Sequence, residues 1–324
     1  MDYRAVGNTG LVVSSIGLGT MTWGRDTDEV DAADQLADFA EAGGTLLDTA
    51  ASYGDGASEE QIGALLGSVV SREDLVLVTK SGSRLRAGQS RVDASRGNLL
   101  TSLDASLDRL GTDYVDLWLV QTPDAHTPLA ETLGALALAV ANGKARYVGL
   151  SNHPAWITAR AACELRHAGL ELAAAEMEYS LLQRGIEREL IPAALGLGFG
   201  VIGWSPLGRG VLTGKYRHSI PADSRAASAH LTGFVQPYLN SAAGAIVEAV
   251  SAAADGLGRS PLEVALAWAR DAAGLSSVIV GGRTAAQLRG SLAATDLALP
   301  EEITAALDEV SAPELGYPEV LATD

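Results

Sequence analysis

Apolar and polar positions alternate along this chain in two periods, and the two periods take turns. Short Val/Leu/Ile-rich runs read as buried strands at 13–20, 45–48, 75–80, 115–120, 145–150, 172–177, 200–204 and 277–280. Between them lie longer stretches with helical spacing, at 27–43, 59–70, 96–110, 129–142, 156–168, 186–195, 241–256, 261–273, 284–294 and 300–310. The first helix places Val30, Ala33, Leu36, Ala37 and Ala40 on one face and stops at Gly43-Gly44; the third places Leu99, Leu103, Leu107 and Leu110 together and stops at Gly111. Before all of these, Gly7-Asn8-Thr9-Gly10 stands between short apolar pieces and predicts a β-hairpin. Residues 81–95 and 205–240 lack periodicity and read as loops; a loop as long as the second is usually functional.

Eight strand runs that each precede a helix imply parallel strands joined by right-handed crossovers. A single (β/α)8 TIM barrel over residues 1–324, with an N-terminal hairpin and extra C-terminal helices, fits both count and length. An open doubly wound sheet is the alternative. Against it, the first strand–helix junction reads Gly17-Leu18-Gly19-Thr20-Met21, which is not the GxGxxG phosphate turn.

Composition narrows the class. Hydrophobic residues make up 47% of 324, enough for a large core. Asp and Glu number 40 against 23 Lys and Arg, a net charge of -17, which argues against nucleic acid or an anionic membrane as a partner. The start Met-Asp-Tyr-Arg has no basic-then-apolar leader, and no apolar run reaches membrane-spanning length. The single Cys163 excludes an internal disulfide, and the five histidines show no metal-ligand spacing. A cytoplasmic protein is the expectation. His126 reads as a loop residue, and His153 as either a surface loop residue or a neighbour of a ligand.

Candidate chemistry gathers where strands end, because the reactive groups of such a barrel sit at the C-terminal ends of its strands. Asp48, Lys80, Gln121, Ser151, Asn152, Glu176 and Trp204 all stand there. Lysine is seldom buried alone, so Lys80 at the end of a Val-rich strand needs a partner, and Asp48 supplies one. Tyr53 lies five residues after Asp48 in a Ser-Tyr-Gly turn; a nearby ammonium favours its ionised form and predicts a lowered pKa, suited to proton donation. Trp204 offers an aromatic face to a flat ring. Gly281-Gly282-Arg283 opens a helix whose stretch holds two arginines and no acid, so Arg283 suits a 2′-phosphate and NADP(H) over NAD(H).

Taken together, Gly17-Leu18-Gly19-Thr20, Asp48-Thr49-Ala50 with Tyr53-Gly54, Thr79-Lys80, Gly149-Leu150-Ser151-Asn152, Trp204-Ser205-Pro206-Leu207 and Gly214-Lys215 resemble the aldo-keto reductase family, in its order and spacing, over nearly the whole chain. The resemblance implies carbonyl reduction with NADP(H), on a small-molecule aldehyde or ketone, with Tyr53 as proton donor, Lys80 tuning it and Asp48 holding Lys80. It implies that the hairpin plugs the bottom of the barrel. Thr20, Met21, Asp48, Ser151 and Asn152 would seat the nicotinamide end. Ser205, Pro206, Leu207, Arg209, Gly210 and Lys215 would clasp the pyrophosphate with Arg225, and Gly281, Arg283, Gln287 and Ser291 would hold the adenosine end. Three positions depart from the family, one of them Ser291, which replaces the usual asparagine. Gln121 stands where the family has a catalytic histidine; it still donates an N–H but carries no charge. Glu176 stands for the usual glutamine, able to accept from an amide nitrogen and unable, as a carboxylate, to donate. Similar proteins altered at the position of Gln121 include slow reductases, reductases of activated C=C bonds and potassium-channel β-subunits, so a nicotinamide-binding regulatory barrel with little turnover is the alternative.

Overall fold

A computed structural model describes residues 1–86, 89–222, 224–314 and 316–317. Ala87, Gly88 and Asp223, within the two expected loops, and the end of the tail lie outside the described residues. The chain opens with β1 (Tyr3–Ala5) and β2 (Val12–Ser14), then runs β3 (Ile16–Gly19), α1 (Glu29–Glu41), β4 (Leu46–Asp48), α2 (Ala57–Leu65) and β5 (Val76–Ser81). It continues through β6 (Ser83–Arg86), β7 (Gln89–Val92), α3 (Arg96–Leu110), β8 (Val115–Val120), α4 (Leu129–Ala141), β9 (Ala145–Ser151), α5 (Ala155–His167), β10 (Ala174–Glu178) and α6 (Leu190–Leu197). The last part holds β11 (Gly200–Trp204), α7 (Thr232–Val235), α8 (Ser241–Leu257), α9 (Pro261–Arg270), β12 (Leu275–Val280), α10 (Ala285–Leu292) and α11 (Glu301–Val310).

Strands β3, β4, β5, β8, β9, β10, β11 and β12 form a closed parallel barrel. Closure is made where the last strand meets the first, with Val278, Ile279 and Val280 paired to Ile16, Gly17 and Leu18. This is the expected (β/α)8 architecture, and the open-sheet alternative falls with it. Burial on both faces explains the near-continuous apolar strands. Along β8, Leu117 and Leu119 point into the barrel, while Val115, Trp118 and Val120 pack against the helices. The hairpin closes one end: Val6, Leu11 and Val13 join the interior cluster of Leu46, Val78 and Ile202. Its turn abuts the chain before β11, where a Cβ on Gly7 would lie 2.4 Å from the Gly198 carbonyl oxygen, so glycine is required there.

Several local expectations change. The first strand does not begin at Val13; Val12–Ser14 belongs to the hairpin, because the Ser14 hydroxyl bonds the Ile16 carbonyl and breaks the run. Helix α1 buries Ala32, Gln35, Leu36 and Phe39, leaving Val30 and Ala37 exposed. In a helix this rich in alanine the bulky Phe39 and the paired Gln35 decide the face. The second helix ends at Leu65, short of Val70. Segment 81–95 carries the β6–β7 hairpin, and 205–240 is mostly short helical turns. Among the described residues no helix is long and apolar enough to cross a membrane.

Candidate active site

The C-terminal strand ends open into a cavity of about 470 Å³. Its lining brings together Met21, Asp48, Tyr53, Lys80, Gln121, Ser151, Asn152, Glu176, Trp204, Ser205, Pro206, Leu207, Arg209, Gly210, Lys215, Arg225, Gly281, Arg283, Gln287 and Ser291, which are the sequence candidates with one exception. That exception is Thr20, which is buried beneath the floor; its hydroxyl donates to the Asp48 carbonyl and accepts from Ser58. Thr20 therefore fixes the strand that carries Asp48.

Lys80 is fully buried and ion-paired to Asp48, and its Nζ donates to the Thr49 carbonyl at 3.0 Å. A second carboxylate reaches it across the barrel mouth: Glu176 Oε1 lies 3.3 Å from Nζ. Burial works against the lysine's charge, but Asp48, Glu176 and Tyr53 outweigh it and hold Lys80 above its usual range. Tyr53 stands with Lys80 Nζ 5.4 Å from its ring centre. Here the expectation of a lowered tyrosine pKa fails. Burial pushes Tyr53 up, Asp48 and Glu176 add to this, and the Lys80 ammonium offsets only part. Tyr53 thus keeps its proton through the physiological range, the state a general acid needs. Glu176 lines the cavity and is also buried against Lys80, and burial together with Asp48 raises it to about 8.

Behind the lysine, Glu59 is buried and accepts from Thr79 Oγ1 at 2.5 Å and from Arg109 at 2.8 Å, which anchors the residue preceding Lys80. Ser52 donates to Gln121 Oε1 at 2.9 Å, and so holds one end of the Gln121 amide at the cavity wall. Neither Glu59 nor Ser52 was legible as a site residue; their partners are 20 and 69 positions away.

On the nicotinamide side, Asn152 donates to the Gln121 carbonyl and accepts from the Trp204 indole N–H at 3.0 Å, tying three strand ends together. One face of Trp204 stacks on Phe234, with centres 6.4 Å apart. Phe234 lines the cavity and lay unnoticed in the irregular stretch. His153 is buried and does not line the cavity; its Nδ1 meets the Ser151 carbonyl at 2.7 Å. His126 is exposed, as expected of a loop. Trp23 is buried with its N–H on Gln35, and so packs the fold.

The phosphate side differs in two ways from the sequence reading. The guanidinium of Arg209 grips Glu178 at 2.7 and 2.6 Å and donates to the Phe234 carbonyl, so its charge is already matched. An acid does reach the Gly281–Ser291 helix: Asp31, from α1, accepts from the Ala285 N–H at 3.0 Å. Lys215, Arg225 and Arg283 also line the cavity. Burial holds Lys215 below its ordinary range, and Arg225 and Arg283 beside it add to the effect. Arg225 is lowered by burial and by Arg283. Gly210, at φ 91°, lets Lys215 Nζ lie across the loop; a Cβ there would sit 3.2 Å away. Among the described residues four non-glycines have positive φ, Asp55, Asn152, Ser205 and Arg209, and the last three line the cavity. Such strain commonly marks functional sites.

A closed barrel with Asp48, Tyr53 and Lys80 converging at its mouth is the arrangement of an oxidoreductase barrel. The chain matches the Aldo/keto reductase family over residues 15–312 and belongs to it. It is 34% identical to the uncharacterized oxidoreductase YrpG of Bacillus subtilis (strain 168), covering 96% of both chains. It is 33% identical to the L-glyceraldehyde 3-phosphate reductase of Escherichia coli (strain K12), over 91% of this chain and 87% of that one. It is also 32% identical to a probable voltage-gated potassium channel subunit beta of Arabidopsis thaliana, over 92% of each.

Proposed function

We propose that this protein is a cytoplasmic NADP(H)-dependent reductase of aldehydes or ketones, with Tyr53 as proton donor. The observation that carries the cofactor choice is that Lys215, Arg225 and Arg283 line one cavity in an otherwise acidic protein. Repulsion among neighbouring cations is relieved by a polyanion, and NADP(H) carries one more phosphate than NAD(H). Lys215 and Arg225 would take the pyrophosphate, and Arg283 the 2′-phosphate. The bound cofactor supplies the hydride. Trp204 would cover the ring, Gln121 would orient the carbonyl oxygen, and Tyr53 would protonate it as charge develops.

Arg283→Ala tests the cofactor assignment. It is expected to weaken NADPH about ten- to a hundredfold, the loss of charge-assisted bonds of about 1.5–3 kcal/mol, and to weaken NADH far less. Fluorescence titration of both cofactors reads the difference, and equal losses would move Arg283 off the 2′-phosphate.

Gln121→His tests the carbonyl site. An imidazole N–H aimed at a developing oxyanion is worth up to about 2.7–4 kcal/mol, and the gain here should be smaller, because glutamine already donates and Ser52 loses its acceptor. Turnover of simple aldehydes should rise with cofactor affinity unchanged. A variant slower on every carbonyl yet normal in cofactor binding would assign Gln121 another task, such as activated C=C reduction.

A further inference from the structure

Glu176 brings a second buried carboxyl to a lysine that already has one. It stands on β10, in register with Ser151 of β9 and Ile202 of β11, which carry no charge. Across the barrel it faces Lys80 of β5 at 3.3 Å, Asp48 of β4, and Tyr53 in the turn that follows β4. Asp48 and Glu176 share the Lys80 ammonium as their ion-pair partner. Glu176 Oε2 is buried in the cavity wall with no partner among the described residues. If both carboxyls were ionised, the cluster would hold two negative charges against one positive, with an oxygen that nothing solvates. Burying a charge without hydrogen bonds is costly, and a proton between the two groups removes the excess charge and the orphaned acceptor together.

Resting on the reductase reading above, we propose that Glu176 is a proton-holding positioning residue: with Asp48 it keeps one proton at neutral pH, which leaves the Asp48–Lys80–Glu176 cluster neutral, and losing that proton on the alkaline side shuts down proton donation by Tyr53. Glu176 does not itself protonate the substrate; the proton that reaches the carbonyl oxygen comes from Tyr53, which recovers one from water. The influence of Glu176 is electrostatic. Once ionised, it draws on the Lys80 ammonium and sets a negative charge beside the tyrosinate that forms as Tyr53 gives up its proton.

The direction of the titration agrees, with burial and Asp48 raising Glu176 from the ordinary 4.5 to about 8. A carboxyl raised in the folded state lowers stability as pH climbs from about 4.5 to about 8, since only the folded chain holds the proton there. The pair titrates as a unit, so the alkaline loss belongs to both groups and Glu176 is the member whose removal abolishes it.

The test compares the wild type with Glu176→Gln, which keeps the shape and cannot ionise, and with Glu176→Asp, which keeps a carboxyl and withdraws it from Lys80. Infrared difference spectra between neutral and alkaline pH should show a protonated-carboxyl band in the wild type, lost near pH 8, and none in Glu176→Gln. Wild-type turnover should fall about tenfold per pH unit above that point, and the fall should disappear in Glu176→Gln and shift in Glu176→Asp. No band at neutral pH, or a band that survives in Glu176→Gln, overturns the assignment. A band in the right place with an unchanged rate limb overturns the switching role. The infrared result stands even if no carbonyl is turned over, so failure of the reductase reading is distinguishable from failure of this one.

Discussion

Tyr53→Phe is expected to lower carbonyl reduction by about 10²–10⁴-fold, the usual worth of a positioned general acid. Burial and the Asp48 carboxylate keep the Tyr53 hydroxyl protonated, and Glu176 adds to this once it ionises, so the wild type always presents an O–H at the strand ends. Phenylalanine keeps the ring that Lys80 sits against and removes only the donor. Cofactor affinity should scarcely change, because the proposed phosphate contacts, Lys215, Arg225 and Arg283, keep their place in the cavity lining. Stopped-flow oxidation of bound NADPH by a carbonyl panel, beside a fluorescence titration, separates the two effects. Survival of most of the turnover would show that another group gives the proton.

Lys80→Met should be as damaging to the fold as to the chemistry. The ammonium is buried and is shared by Asp48, Glu176 and the Thr49 carbonyl. Removing one partner of a buried ion pair typically costs about 3–5 kcal/mol, because the other charge is left without compensation. Here two carboxyls are left, and they escape by taking up protons. Their folded-state pKa values then lie above the unfolded ones, so the lost stability is regained below the unfolded range and is greatest above the folded one. Urea unfolding should therefore show the largest deficit at alkaline pH and a smaller one near pH 5, with activity absent throughout. A deficit independent of pH would mean that Asp48 and Glu176 do not face an emptied charge site.

The candidate site was legible wherever its parts are local. Asp48 and Lys80 each end an apolar run, and a charged residue in that position is visible without any structure. Tyr53 was legible because a turn carries it close behind Asp48, where Gly54 and Asp55 adopt left-handed backbone. What the sequence misjudged was environment. It showed that Tyr53 has a cation near it and concealed that two carboxylates and burial outweigh that cation. It showed arginines at Arg209 and Arg283 alike and concealed that Glu178 already neutralises the first. It reported no acid in the helix that begins after Arg283, and Asp31 reaches that helix from 254 residues away.

Short continuous apolar runs alternating with stretches of period 3.6 determined the barrel, since a parallel strand buried on both faces and a helix buried on one leave different marks on the same chain. Glycine stops such as Gly111 determined helix ends, because the left-handed cap at φ 63° favours that residue. The tertiary structure alone decided that Gln35 joins Leu36 and Phe39 on the buried face of α1 while Val30 and Ala37 stay exposed, for the partner of Gln35 is Trp23, outside the helix. It alone decided that Glu176 meets Lys80. Their strands are joined through β8 and β9, and only the curling of the sheet into a barrel turns the two side chains across the mouth to one another.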